Sequence, residues 1–104
     1  RSESWRRQKL ESLVQQFRKG ALELGLPVID SLTPIQPLVV GDSRQAMAMA
    51  ARLRESGILV TPIRPPTVAE GSARLRITFS AQHEAVQVER LLEGLAGAIG
   101  ETRD

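Results

Sequence analysis

The sequence has no cysteine and no tyrosine, and its 104 residues include only one tryptophan and two phenylalanines. Without cysteine, the chain can form neither a disulfide framework nor a thiolate metal site, which favours a cytoplasmic location. Nucleic-acid modules usually combine a basic stripe with stacking aromatics. This sequence has 14 basic and 12 acidic residues, so its net charge is only +2. We therefore predict no nucleic-acid partner.

Long apolar runs and complete catalytic sets are also missing. No run approaches the roughly 20 apolar residues of a membrane-spanning helix, so we predict no membrane partner. His83 is the only histidine, and spacing supports neither a Ser–His–Asp set nor a metal cluster. Glycine-rich phosphate-binding motifs are absent as well. The chain is predicted to contain no catalytic, cofactor-binding or metal-binding residues of its own.

The residues that are present predict one small domain over 1–104. Hydrophobic residues make up 41% and charged residues 25% of the chain, as in globular proteins. Periodicity predicts the order α-β-α-β-β-α, with elements at 3–24, 35–40, 43–56, 58–64, 74–80 and 81–99. This order indicates an α+β fold, a two-layer α/β sandwich. The small, mainly antiparallel sheet should carry helices on one face and leave the other open.

Helical spacing also predicts which side chains face the core. The first helix should bury one stripe, the second a face of small residues, and the last an aliphatic stripe. These sets are Trp5, Leu10, Leu13, Val14, Phe17, Ala21 and Leu24; then Ala46, Met47, Ala50 and Leu53; then Val88, Leu91, Leu92, Leu95 and Ile99. Asp42 and Ser80 are predicted helix N-caps, and Gly25 and Gly57 helix stops. His83 should form local hydrogen bonds in the first turn of the last helix.

The segment "IRPPTVAEGSARLRITFS" carries the most specific pattern. Arg76 alternates with Leu75 and Ile77, so it must leave its strand on the face opposite the core. An exposed arginine on a solvated sheet face is one reading. A clamp for carboxylate or phosphate is the other, because the guanidinium fork matches those groups. Arg64 and Thr67 in the adjoining loop would add a cation and a hydroxyl, and the pattern alone leaves both readings open.

The stretch "IQPLVVGDSRQAMAMAARLRESGILVTPIRPPTVAEGSARLRITFSAQHE" resembles the C-terminal domain of the 8-amino-7-oxononanoate synthases. They belong to the pyridoxal-phosphate-dependent α-oxoamine synthases, and the resemblance runs from about Ile35 to Leu95. It implies a cytoplasmic, homodimeric fold-type I enzyme of biotin biosynthesis. Such an enzyme condenses L-alanine with pimeloyl-CoA or a pimeloyl-carrier protein and releases carbon dioxide. By resemblance, Arg76 holds the alanine carboxylate, Thr67 binds substrate, and Arg64 lies near the acyl path.

The resemblance also implies that a part of the enzyme lies outside this chain. The family's imine-forming lysine, ring-stacking histidine and phosphate-binding residues belong to a large N-terminal domain, and Lys9 and Lys19 are the only lysines here. We therefore expect an excised C-terminal domain that is inactive alone. Ala69 and Glu84 depart from the family's usual proline and threonine, beside the contact residues.

Three other functions stay open. The chain could be a stand-alone module that binds a carboxylate or an amino acid, a structural interaction domain, or part of another α-oxoamine synthase. Sister enzymes usually carry an aromatic residue and a single proline where this chain has Ile63-Arg64-Pro65-Pro66. The length of the natural gene product would separate the enzyme from the module.

Overall fold

The computed structural model describes residues 4–26, 28, 31 and 33–103, with side chains as far as residue 98. The elements are α1 (Ser4–Glu23), β1 (Ile35–Gly41), α2 (Ser43–Leu53), β2 (Leu59–Ile63), β3 (Ala73–Thr78) and α3 (Ala85–Arg103). A short 3-10 helix, Arg54–Ser56, continues α2. The predicted order is confirmed. Within the described ranges, no helix combines the length and apolarity needed to cross a membrane.

The three strands form an antiparallel sheet in the order β1-β3-β2. The predicted antiparallel pairing of β2 with β3 is confirmed, and β1 pairs with the other side of β3. Both prolines of the sheet, Pro37 and Pro62, therefore lie on edge strands. A proline donates no hydrogen bond to a ladder, so the edges are where it costs the sheet least.

The core lies between the helices and one face of the sheet. Leu38, Leu75 and Ile77 are fully buried there, and they alternate with exposed or half-exposed neighbours. The helices contribute the other side of this core: Leu13, Val14, Phe17, Ala21, Ala46, Met49, Ala50, Leu53, Val88, Leu91, Leu95 and Ala98. The predicted two-layer arrangement, with helices on one face only, is confirmed.

Three residues that the spacing assigned to the core are exposed. Trp5 and Leu24 are 46% and 48% exposed at the ends of the α1 stripe. Trp5 lies in the first turn of α1 and Leu24 just beyond its last residue, Glu23, so helical spacing holds for the middle of the stripe and not for its two ends. Met47 is 45% exposed, and Met49, which is 4% exposed, takes the core position predicted for Met47. The side chain of Ile99 lies outside the described residues.

Three of the four predicted helix ends are confirmed and one is wrong. Gly25 follows α1 with a φ of 73°, and its N–H donates to the Leu22 carbonyl at 3.1 Å. Asp42 accepts a hydrogen bond from the Gln45 N–H at 2.9 Å, and Gly57 ends the 3-10 helix with a φ of 84°. Ser80 does not cap α3, which begins only at Ala85. Instead Ser80 and His83 close a separate turn, in which the His83 N–H donates to the Ser80 carbonyl at 3.0 Å.

His83 forms the predicted local hydrogen bonds, although it lies before the helix and not in its first turn. Its Nδ1 accepts from the Ser80 N–H at 3.0 Å, and its ring meets Phe79 edge to face. The N-terminus of α3 is capped from within, because Gln87 Oε1 accepts from the Glu84 N–H at 2.7 Å. The β3–α3 connection therefore has its own defined geometry.

The connection from α1 to β1 is tied down by a buried amide. Gln36 is fully buried, and its Oε1 accepts a hydrogen bond from Arg18 at 3.1 Å. Its Nε2 donates to the carbonyls of Ser31 and Thr33, each at 2.8 Å. Both ends of the amide are thus satisfied, which is what makes a buried polar group tolerable. This network fixes β1 against α1.

Candidate functional site

The sheet has one face that no described element covers, and we call it the open face. Alternation along the strands and the antiparallel register place nine side chains on it. They are Ile35, Pro37 and Val39 of β1, Leu59, Thr61 and Ile63 of β2, and Arg74, Arg76 and Thr78 of β3. The face carries two cations and no acidic residue. It is therefore suited to a partner that brings a negative charge and some apolar surface.

Arg76 occupies the centre of the open face. It lies on the middle strand, with Pro37 opposite on β1 and Thr61 opposite on β2. Its side chain is exposed, and no hydrogen bond or ion pair joins its guanidinium to any described residue. The structure thus confirms the predicted direction of this side chain. An arginine left free between two short side chains can offer its whole fork to a carboxylate.

Arg74 shares the face but has different surroundings. It is half-buried, with Val39 and Ile63 as its cross-strand neighbours. Its Nε donates to the carbonyl of Ser72 at 3.2 Å. The two arginines of the strand are therefore distinct, one engaged with the chain itself and the other available.

Arg64 and Thr67 lie at the two ends of one tight turn after β2. The Thr67 N–H donates to the Arg64 carbonyl at 3.1 Å, and the Pro65–Pro66 peptide between them is cis. Both side chains are exposed. Arg64 directly follows Ile63, the cross-strand partner of Arg74. It is three residues from Thr61, which corresponds to about 10 Å along the strand. The structure places this pair in the loop that follows β2, and shows no hydrogen bond between either of them and Arg76.

The chain also has a surface groove that does not coincide with these residues. It measures about 480 Å³ and lies in the helical layer, on the other side of the sheet from Arg76. Its charged lining residues are two arginines and two glutamates: Arg52, Glu55, Arg90 and Glu93. Because these charges balance, the groove offers a carboxylate no net attraction. The open face remains the better candidate.

Groups that could hold a metal or form an imine are not found on the open face. No cluster of three or more metal-ligating side chains occurs among the described residues. Both lysines lie on α1, and Lys9 forms an ion pair with Glu84 at 3.0 Å. The open face therefore carries two arginines and no lysine.

Sequence reasoning missed two parts of this site. Nothing in the sequence marks Thr61 as a site residue, because its position opposite Arg76 depends on the register between β2 and β3. The hydrogen bond from Arg74 to Ser72 was missed too, since alternation gives the face of a side chain but not its partner.

The chain belongs to the aminotransferase class I and II family, whose model matches residues 1–95. Among curated proteins it is similar to the 8-amino-7-oxononanoate synthase of Pseudomonas putida, with 59% identity over 96 residues. It is also similar to the enzyme of that name from Nitrosococcus oceani, with 63% identity over 94 residues. These matches cover 92% and 90% of this chain and 25% of each relative. The chain therefore spans about a quarter of the length of these relatives, and the resemblance drawn from its motifs is confirmed.

Solved structures show the same fold. The 8-amino-7-oxononanoate synthase of Francisella tularensis matches 94% of this chain with a TM-score of 0.80 at 21% identity, over 28% of its own length. A serine palmitoyltransferase of Sphingomonas wittichii matches 93% with a TM-score of 0.80 at 27% identity, over 25% of its length. A serine palmitoyltransferase solved as an internal aldimine with pyridoxal phosphate also matches, with a TM-score of 0.80. The predicted relationship to fold-type I enzymes is thereby confirmed at the level of fold.

Proposed function

We propose that this chain is the C-terminal domain of an 8-amino-7-oxononanoate synthase. The longer protein would condense L-alanine with a pimeloyl thioester, release carbon dioxide, and supply biotin synthesis. The observation that carries the proposal is Arg76, a free guanidinium at the centre of a face without acidic residues. Identities of 59% and 63% to synthases of that name support it.

The role proposed for Arg76 is to hold the carboxylate of alanine. Two parallel N–H donors of a guanidinium match the two oxygens of a carboxylate, which fixes the orientation as well as the position of the substrate. Thr67 would offer its hydroxyl to substrate from the loop that follows β2. Arg64 would place a cation there, near the acyl donor, whether this is pimeloyl-CoA or a pimeloyl-carrier protein.

On this proposal the described residues do not hold pyridoxal phosphate. Lys9 and Lys19 lie on α1, and no lysine is present on the open face. We propose that the remaining part of the longer protein binds this cofactor, which serves as an electron sink when bound. On this proposal the isolated chain forms one wall of the substrate site and is not catalytic. The longer protein would be a cytoplasmic homodimer, as the resemblance implies.

The test compares the full-length gene product with the isolated chain. The full-length protein should form 8-amino-7-oxononanoate from alanine and pimeloyl-CoA or pimeloyl-carrier protein, and the isolated chain should form none. Serine and glycine, in place of alanine, test whether the protein is another α-oxoamine synthase. If serine or glycine is the better amino acid, the proposed substrate is wrong although the family is right.

A second candidate, a stand-alone carboxylate-binding module, is favoured by one observation. Arg76 is free in the chain as described, so it could bind a carboxylate without a second domain. Isothermal titration of the isolated chain with alanine and with pimelate separates the two functions. The module predicts saturable binding that Arg76→Leu abolishes, whereas the synthase domain predicts no saturable binding.

A further inference from the structure

The loop between β2 and β3 consists of two turns with different support. In the first, Arg64 and Thr67 are joined only by their backbone hydrogen bond of 3.1 Å, and no side-chain hydrogen bond with a described residue anchors either of them. The second turn is closed by the Ser72 N–H, which donates to the Ala69 carbonyl at 3.0 Å. The position of the first turn is therefore set by β2 at one end and by the second turn at the other.

The second turn is held by a side-chain hydrogen bond and lies near the end of β1. Arg74 Nε donates to the Ser72 carbonyl at 3.2 Å, and the Arg74 side chain is half-buried. On the other side the end of β1 approaches, because a β-carbon built on Gly41 would lie 3.6 Å from the Gly71 carbonyl oxygen. Gly41 has a φ of 100° and follows a register shift in β1. The backbone of β1 thus turns toward this part of the loop.

We infer that Arg74 is a positioning residue, which holds the β2–β3 loop so that Thr67 meets the substrate. This inference rests on the proposed function. Arg74 acts through its Nε–H and the Ser72 carbonyl, and not through its charge on the substrate. Arg76, two residues along the same face, has no such bond to a described residue and binds the substrate directly.

Three substitutions in the full-length protein show whether Arg74 acts through its hydrogen bond or through its charge. Arg74→Gln places an amide nitrogen where Nε was, so it keeps a donor and loses the charge. Arg74→Met has a similar length and no donor, and Arg74→Lys keeps the charge with its nitrogen one atom further out. We expect Arg74→Met to raise one KM roughly three- to tenfold, as for one lost hydrogen bond, with kcat within about twofold. Arg74→Gln should restore that KM to within about twofold of wild type.

A double-mutant cycle identifies the residue through which Arg74 acts. Thr67→Val defines the substrate whose KM depends on the loop. In the Thr67→Val background, Arg74→Met should then have little further effect on that KM, because the contact it positions is already gone. In an Arg76→Leu background its effect should be close to additive. Additive effects of Arg74→Met and Thr67→Val on this KM would overturn the inference. It would also be overturned if Arg74→Gln raised the KM as much as Arg74→Met while Arg74→Lys stayed near wild type.

Hydrogen exchange supplies a readout that does not need synthase activity. The amides of Arg64 and of residues 67–72 should exchange at least about threefold faster in the Arg74→Met full-length protein and near the wild-type rate in Arg74→Gln. Unchanged exchange in Arg74→Met would overturn the inference whatever the enzyme does. Faster exchange with both KM values unchanged would overturn it as well, since the loop would be ordered without serving the site. Absence of synthase activity in the wild-type protein would count against the proposed function alone, and the exchange result would still decide whether Arg74 holds the loop.

Discussion

Arg76 and Thr61 are cross-strand partners on the open face of the sheet. The antiparallel register brings their β-carbons to within about 5 Å of each other. On the other side Arg76 faces Pro37, which has no donor and no charge. Of the two cross-strand partners of Arg76, only Thr61 carries a hydroxyl. A carboxylate held by Arg76 would lie beside the Thr61 hydroxyl and the Pro37 ring, and covering this face with the rest of the longer protein would strengthen the charge pair relative to water.

In the full-length protein we expect Arg76→Leu to damage the use of alanine far more than the use of the acyl donor. Removing one partner of a desolvated, hydrogen-bonded charge pair costs about 2–5 kcal/mol. At about 1.4 kcal/mol per tenfold, kcat/KM for alanine should fall roughly 30- to several thousand-fold. Steady-state kinetics with each substrate varied in turn provide the measurement.

Two other arginines serve as comparisons for this variant. Arg90 is exposed on α3 and lies away from the open face, so Arg90→Leu should leave both substrates within about twofold of wild type. Arg74→Leu should be less damaging than Arg76→Leu, because its guanidinium is engaged with the Ser72 carbonyl. The assignment of Arg76 is wrong if its variant leaves alanine kinetics within a fewfold of wild type, or if Arg74→Leu is the more damaging.

The isolated chain should not form a specific covalent adduct with pyridoxal phosphate. Lys9 is ion-paired with Glu84 on the exterior of α1, and Lys19 is exposed on the same helix. Neither lies on the open face with Arg76. Titration with the cofactor, borohydride reduction and peptide mass mapping provide the check. A stoichiometric adduct on a single lysine would contradict the proposal that the cofactor site lies in another part of the longer protein.

The sequence was sufficient for the order of elements and for the direction of Arg76. Period-two alternation in β3 is strong because Leu75 and Ile77 are fully buried, and a slip by one residue would expose both of them. Pro37 and Pro62 fit either an edge strand or a strand end, because proline donates no hydrogen bond to a ladder, and the structure places both on edge strands. The central position of β3 could not be read in this way, since alternation does not say which strands pair.

Helix boundaries and helix faces were predicted less well, for local reasons. Ser80 precedes a polar stretch and looks like an N-cap, but the His83 ring accepts its N–H and forms a turn of its own. Met47 and Met49 are the same residue type, and their rotation about the helix axis distinguishes them. Met49 lies on the arc of Ala46 and Ala50, whereas Met47 is rotated by about 100° from Ala46. The relative positions of the candidate site residues depend on strand register and loop geometry, which alternation does not give.

The neutral His83 imidazole should carry its proton on Nε2. Its Nδ1 accepts from the Ser80 N–H at 3.0 Å, so Nδ1 cannot itself be protonated while this hydrogen bond is formed. Long-range proton–nitrogen NMR spectra at neutral pH would show the tautomer directly. A neutral ring with its proton on Nδ1 would contradict this geometry.

Substitution at the same position tests the energetic value of that acceptor. His83→Ala removes both the acceptor and the ring, and should lower the free energy of unfolding by about 1–2 kcal/mol. His83→Asn loses the ring but places an amide oxygen near the position of Nδ1, so it should recover about 0.5–1.5 kcal/mol relative to alanine. Chemical denaturation of the isolated domain measures both. Equal stabilities of the two variants would show that the Ser80 hydrogen bond contributes nothing.

Two glycines of α3 form a matched pair for testing the packing of α3 on α2. A β-carbon at Gly94 would lie 2.7 Å from Leu53 Cδ2, and Leu53 is a core residue only 2% exposed. A β-carbon at Gly97 would meet only the tip of Arg52, at 3.5 Å. Alanine in place of a helical glycine stabilises a helix by about 1 kcal/mol at either position. Gly97→Ala should therefore raise the free energy of unfolding by about 0.5–1 kcal/mol.

Gly94→Ala gains the same helix propensity, but it must displace Leu53 within a packed core. Overpacking of this kind costs about 1–3 kcal/mol, so Gly94→Ala should be less stable than Gly97→Ala by that amount. Because the propensity gain is common to both variants, the difference between them isolates the cost of packing α3 against α2. Urea denaturation of the two variants under identical conditions gives this difference. Equal stabilities would mean that α3 can move away from Leu53 without loss, and that the close approach of the two helices does not help to hold the core together.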